Sequence, residues 1–206
     1  MSDVTRILSN RKICRSDLTS NLYHMIKEGD ESDPHFPIKI LCKILKEKRL
    51  IGSSTESGFI CGDTKAVCFQ DVPLRNQVEN YVFYKMFKDD YPYRKYSLFG
   101  IGFSKSYLYK VGARPVLYEA LEEAKKLVNQ DQYWRIVNLN YCKEYIVDWT
   151  HEREWRLPVE EQFSFDLNQV SMIIPNRKYL KKVKEILGNE IIEEIGNIIV
   201  MDTIIK

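Results

Sequence analysis

The sequence has little of several things that would narrow its function at once. Histidine is scarce, with His24, His35 and His151 far apart, and the five cysteines (Cys14, Cys42, Cys61, Cys68, Cys142) include no C-x-x-C pair. A structural zinc site needs a tight cluster of soft ligands, so no metal site is expected. The odd cysteine count and the apolar neighbours of Cys42, Cys68 and Cys142 point to reduced core thiols rather than a disulfide framework. No apolar run reaches the length of a membrane-spanning helix. The opening Met-Ser-Asp-Val-Thr-Arg lacks the apolar segment of a secretory signal, so a cytoplasmic protein with no membrane partner is expected. Neither charge sign dominates: 31 Lys and Arg face 29 Asp and Glu, and a net charge of +2 gives no bulk electrostatic case for nucleic acid. Phosphate-cradling loops are missing as well. Gly100-Ile-Gly102 runs on into Phe103 without the third glycine of a dinucleotide fingerprint.

What is present is the material of a globular core. The chain has 206 residues, 44% of them hydrophobic and 29% charged, with 13 Tyr, 9 Phe and 3 Trp. A chain of this size buries roughly 70% of its unfolded surface, enough for a core without staples. No repeat, low-complexity tract or linker divides it, and a single domain over residues 1–206 is expected. Strand patterns fall at 20–26, 66–69, 98–103, 114–118, 145–149, 155–157, 170–174 and 198–205. Helical periodicity marks 38–50 and 177–187, with shorter helices at 104–110 (Ser104 as cap) and from Leu121 to Val128 or as far as Trp134. Residues 76–87 are ambiguous but could line a helix face. Short strands without regular alternation with helices predict an α+β fold: a mixed, mainly antiparallel sheet with flanking helices.

The densest run of chemistry is Asp148-Trp-Thr-His-Glu-Arg-Glu-Trp-Arg156. On an extended segment, Glu152 and Glu154 would point to one side and Arg153 to the other. Two carboxylates on one face can divide acid and base roles, with the flanking indoles as a dry wall. An ion-paired structural strand fits the same residues. His24, in the apolar run around Tyr23, is either a hydrogen-bonded structural histidine or a donor to a ribose or phosphate oxygen. The strand ending Phe69-Gln70 places polar groups at a cleft edge, while Cys68, among apolar neighbours, reads as core. Tyr91-Pro-Tyr-Arg-Lys-Tyr96 is either a base-stacking, phosphate-contacting loop or a solvated one.

Four segments together carry a family resemblance: Val67-Cys-Phe-Gln-Asp-Val-Pro-Leu74, Phe99-Gly-Ile-Gly-Phe-Ser-Lys105, Gly112-Ala-Arg-Pro-Val-Leu-Tyr118 and Glu152-Arg-Glu-Trp-Arg156. They resemble the AbiGi-type abortive phage-infection proteins. The opening, Leu22-Tyr23-His24 followed by Ile40–Leu45 and Leu50-Ile-Gly52, is similar to DarT-like ADP-ribosyltransferase toxins, apart from an inserted loop at 28–37 and Gln70 where a hydroxyl residue is usual. The resemblance implies an ADP-ribosyltransferase-like fold, a role in antiviral defence and NAD as co-substrate. It also implies a nucleic-acid or protein acceptor and a cognate toxin, antitoxin or defence-system partner. By that analogy His24 holds the adenosine-side ribose, Tyr23 beside it is also cofactor-binding, and Phe69 and Gln70 line the nicotinamide pocket. Glu154 would be catalytic, Glu152 would activate the acceptor, and Arg156 would grip the pyrophosphate. Cleavage of the nicotinamide–ribose bond through an oxocarbenium-like state is the chemistry such carboxylates would serve. The alternative is a non-catalytic interaction or sensing protein on a related scaffold, with Glu152 and Glu154 locked in ion pairs and no cleft. The discriminating expectation is that Tyr23, His24, Phe69 and Glu154 converge on one cleft.

Overall fold

In the computed structural model of the chain, residues 15–29, 33–58, 60–87, 96–142 and 146–204 are described. Strand β1 (Asn21–Lys27) leads through helix α1 (Phe36–Glu47) to β2 (Arg49–Ile51) and β3 (Lys65–Gln70). Helix α2 (Leu74–Met86), β4 (Tyr96–Ser104), α3 (Lys105–Lys110), β5 (Arg114–Pro115), β6 (Leu117–Glu119) and α4 (Leu121–Leu127) follow. The chain continues through β7 (Ile136–Asn138), β8 (Glu154–Val159), β9 (Gln162–Ser164) and β10 (Ser171–Ile174), and ends with α5 (Arg177–Leu187), α6 (Asn189–Glu194) and β11 (Asn197–Val200). Among the described residues seven strands form the main sheet in the order β11-β10-β4-β1-β3-β8-β5, with β10–β11 its one parallel pair. The fold is thus α+β with a mixed, mostly antiparallel sheet. Two small two-stranded sheets, β2–β9 and β6–β7, stand beside it.

The alternation of β1 explains how both faces are covered. Leu22 and Ile26 join Phe69, Ile101, Phe103, Leu157 and Met172 in the larger core, beneath α1 and α5. Tyr23 and Met25 point the other way, onto Val78 of α2, Ile173 and Met201. Helix α1 buries Ile38, Leu41, Cys42 and Leu45, the stripe its 3.6-residue period prescribes, and stops at Lys48 in a left-handed conformation. Each fully buried large side chain contributes about 1.5–3 kcal/mol. Ser104 caps α3 by accepting the Tyr107 N–H, and Asn176 caps α5 by accepting from Lys178.

Several sequence expectations are corrected. The helix from Leu121 ends at Leu127 because Val128 is extended, and a 3₁₀ segment, Gln130–Arg135, takes over. The strand expected at 114–118 is two strands serving different sheets, β5 against β8 and β6 against β7. The strand expected at 145–149 is absent among the described residues from 146 on, where Val147 makes an isolated bridge with Asn140. There the Asp148 carboxylate accepts from the Thr150 N–H (2.8 Å) and hydroxyl (2.7 Å), turning the chain into a 3₁₀ segment, Thr150–Glu152. The last strand ends at Val200, whose carbonyl takes the Thr203 hydroxyl at 2.7 Å. Residues 76–87 resolve as a helix, and α6 and β2–β9 were not anticipated. Cys142 is exposed rather than core, while Cys14 and most of the Tyr91–Tyr96 loop lie outside the described residues.

Candidate functional site

The main sheet forks beside β1. Six register positions join β1 to β4, from Asn21↔Ser104 to Lys27↔Tyr96, and six join β3 to β8. Between β1 and β3 there is one, Tyr23↔Gln70. A register shift between Met25 and Lys27 interrupts the β1–β4 ladder beyond the point where pairing with β3 has ended. The Ser97 hydroxyl steadies that irregularity by donating to the Ile26 carbonyl at 2.7 Å. Close approach on the β4 side needs glycine: a Cβ at Gly100 would stand 2.7 Å from the His24 carbonyl oxygen, and one at Gly102 2.7 Å from the Tyr23 ring. The two glycines that make no nucleotide fingerprint therefore let β1 lie tight against β4.

A cavity of about 640 Å³ lies at the fork, within the size range of small-molecule and cofactor sites. Tyr23, His24, Phe69, Gln70, Glu152, Glu154 and Arg156 all line it. Phe36 and Ile40 of α1, Ile60 and the neighbouring loop, and Ile136 and Val137 of β7 add apolar wall, and Trp149 adds an indole. The second indole, Trp155, packs against the core on the other face of β8.

Pairing across the ladder puts Tyr23, Gln70 and Glu154 in line, with Cys68 opposite Arg156, because directly opposed residues share a face. The two glutamates reach the same cavity by a route other than the expected extended alternation. Glu152 ends the 3₁₀ segment, Arg153 takes φ 45°, and Glu154 begins β8. Left-handed backbone at a non-glycine residue costs about 1–2 kcal/mol. Here it is held by the Arg153 guanidinium on the Asp17 carbonyl (2.6 Å) and by the Asp71 N–H on the Arg153 carbonyl (3.1 Å).

His24 marks the point where the β1–β3 ladder stops. Its Nδ1 lies 2.9 Å from the Cys68 carbonyl oxygen, and a carbonyl only accepts, so Nδ1 carries the proton. Burial lowers the imidazole pKa, against a smaller opposing pull from that carbonyl. The ring is therefore neutral near pH 7 and its Nε2 is an acceptor, which corrects the expected donor role. Phe69 meets the imidazole edge-on at 6.1 Å and is otherwise core. Gln70 is buried, and its Oε1 accepts from Gln77 Nε2 of α2 at 2.8 Å. What it offers a ligand is its amide donor.

The most constrained group is Glu154. Arg156 Nε sits 2.8 Å from Glu154 Oε1 and Nη2 3.4 Å from Oε2, while Nη1 donates to the Trp134 and Ile136 carbonyls at 2.7 and 3.1 Å. Both side chains are below one-tenth exposed. With its donors so committed, Arg156 clamps the Glu154 carboxylate; the pyrophosphate grip expected of it does not match this geometry. Tyr118 accepts the Glu154 N–H at 2.7 Å, and burial, then the neighbouring carboxylates, raise its phenol pKa. The Cys68 thiol pKa is raised by burial and next by Glu154, which makes it a poor nucleophile. Sequence reading missed Tyr118 and the carbonyls of 134–136, which reach Glu154 only through tertiary packing. Among the described residues no group of three or more His, Cys, Asp or Glu could hold a metal ion, and no helix is long and apolar enough to cross a membrane.

Comparison of the chain with protein-family models, with curated proteins and with solved structures finds no match.

Proposed function

We propose that the chain is a phage-defence effector of ADP-ribosyltransferase type, using NAD in the fork cavity and passing ADP-ribose to a nucleic-acid or protein acceptor. The observation that carries this reading is the shared cavity of Tyr23, His24, Phe69, Gln70, Glu152 and Glu154. These residues lie on separate strands and a turn, and they include the polar and aromatic groups such a ligand needs. NAD supplies a glycosidic bond whose cleavage leaves positive charge on a ribose, as in glycoside hydrolysis. Glu154, pre-positioned by Arg156, stabilises that charge. Preorganised electrostatic groups of this kind contribute roughly 2.7–4 kcal/mol. Glu152 receives the proton of the attacking acceptor. His24 accepts a hydrogen bond from a ribose hydroxyl through Nε2, and Gln70 donates its amide.

Incubation of the purified protein with NAD and cell lysate, followed by nicotinamide release, tests the proposal. Release is expected from the wild type and a fall of about 100-fold or more in Glu154→Gln. No release, or release unchanged in that variant, overturns the catalytic assignment. The buried Glu154–Arg156 ion pair favours one second reading, a non-catalytic sensing or antitoxin-like protein that binds a ligand in the same cavity. Saturable NAD binding without turnover under the same conditions is the result that reading requires.

A further inference from the structure

The near-neutral total charge conceals an uneven distribution. Helices α1 and α5 pack side by side over the larger core, and their buried stripes fix which sides face outward. Between them they hold eight basic and two acidic side chains, a balance of +6, whereas the whole chain stands at +2; the remainder therefore carries −4. Lys39 is taken by Asp33 at 2.7 Å. The other seven are Lys43 and Lys46 on α1, and Arg177, Lys178, Lys181, Lys182 and Lys184 on α5. All seven are exposed, and none enters an ion pair among the described residues. Several lysines elsewhere on the surface are neutralised in place, as Lys65 is by Glu161 and as Lys125 and Lys126 are by Glu122 and Glu123.

We infer that the outward face of α1 and α5 is a docking surface for the phosphodiester backbone of a nucleic acid. Cations four residues apart on a helix stand about 6 Å apart along its axis, a spacing comparable to that of phosphates along a strand. Packed helices set two such rows about 8–10 Å apart. An anionic membrane is the weaker match, because interfacial helices insert large apolar residues. Here the apolar stripes of both helices are mostly spent on the core, and Phe36 of α1 and Ile186 of α5 are their exposed large hydrophobic residues. Helix α1 also lines the fork cavity through Phe36 and Ile40, so a docked strand passes close to it. The docking itself does not depend on the chemistry proposed for that cavity.

Fluorescence anisotropy of a labelled single-stranded oligonucleotide of about 20 residues, without NAD, tests the inference. Binding is expected at about 50 mM salt, with log affinity falling against log salt at a slope of about −3 if four phosphates are engaged. Charge reversal at Lys178, Lys181 and Lys182, all exposed helical positions, is expected to weaken binding at least about tenfold and flatten the slope by about 2. Reversal at Lys125 and Lys126 is expected to leave binding unchanged. Absent binding, or binding indifferent to reversal on α5, overturns the inference. So does preferential co-sedimentation with vesicles containing about 30% phosphatidylserine, lost on the same reversal.

Discussion

Strand β1 has two neighbours and two kinds of border. Against β4 it makes a closed seam, paired at six positions, with glycines at the contact and apolar residues on both faces. Against β3 it makes an open one, paired once, where His24 supplies a side-chain donor and a buried ion pair stands on the next strand. The closed seam draws its stability from burial and tolerates no extra atoms. The open seam gives up ladder bonds, and the polar groups it leaves must be satisfied by specific side chains. Stability and a ligand-sized cavity are thus served by opposite edges of one strand.

Substitutions separate the two borders, and the largest effect is expected at the open one. Arg156→Met leaves Glu154 buried without its counter-charge and is expected to destabilise by about 3–5 kcal/mol in urea unfolding. Adding Glu154→Gln should recover most of that loss. Leu22→Ala, in the closed seam, is expected to cost about 2–5 kcal/mol with no such rescue. Rescue failing for Arg156→Met would erase the distinction. Gly102→Ala forces a methyl against the Tyr23 ring and is expected to cost about 1–3 kcal/mol. Ser97→Ala strips the bulge of its donor and should cost about 1 kcal/mol or somewhat more.

The smallest effect is one of pH. Unfolded, His24 titrates near its ordinary 6.5; folded, burial holds its pKa lower. The unfolded chain therefore binds the proton first on acidification. Stability from the neutral ring is complete above about pH 6.5 and declines as pH falls from there through the folded pKa. Thermal unfolding of His24→Gln should lose that part of the acid sensitivity, and an unchanged pH profile would place the imidazole outside the buried fork.

Residue patterns made the helices at Phe36–Glu47 and Arg177–Leu187 legible, since each spends a strict apolar stripe on the core and carries lysines outside. Seven of the residues that line the cavity were reached through the family resemblance and the dense charged run at 148–156, whereas its apolar wall of Phe36, Ile40, Ile60, Ile136 and Val137 was not read from the sequence. The fork itself was not legible. It depends on which strands pair and on where the β1–β3 ladder ends, and both are tertiary choices. The same limit applies to Arg156: its charge was visible, but the carbonyls of Trp134 and Ile136 that turn it inward lie about twenty residues away in sequence. That Glu152 and Glu154 share a side was expected from the sequence, but they do so through a left-handed Arg153 rather than extended alternation, a conformation that no pattern of side chains announces.

The most direct measurement is a calorimetric titration of NAD into Glu154→Gln protein whose cooperative unfolding shows that it is folded, and in which turnover does not obscure binding. The fork as a nucleotide site predicts one saturable event, weakened at least about tenfold, about 1.4 kcal/mol, by His24→Ala. No saturable binding, or an affinity that ignores His24→Ala, contradicts it.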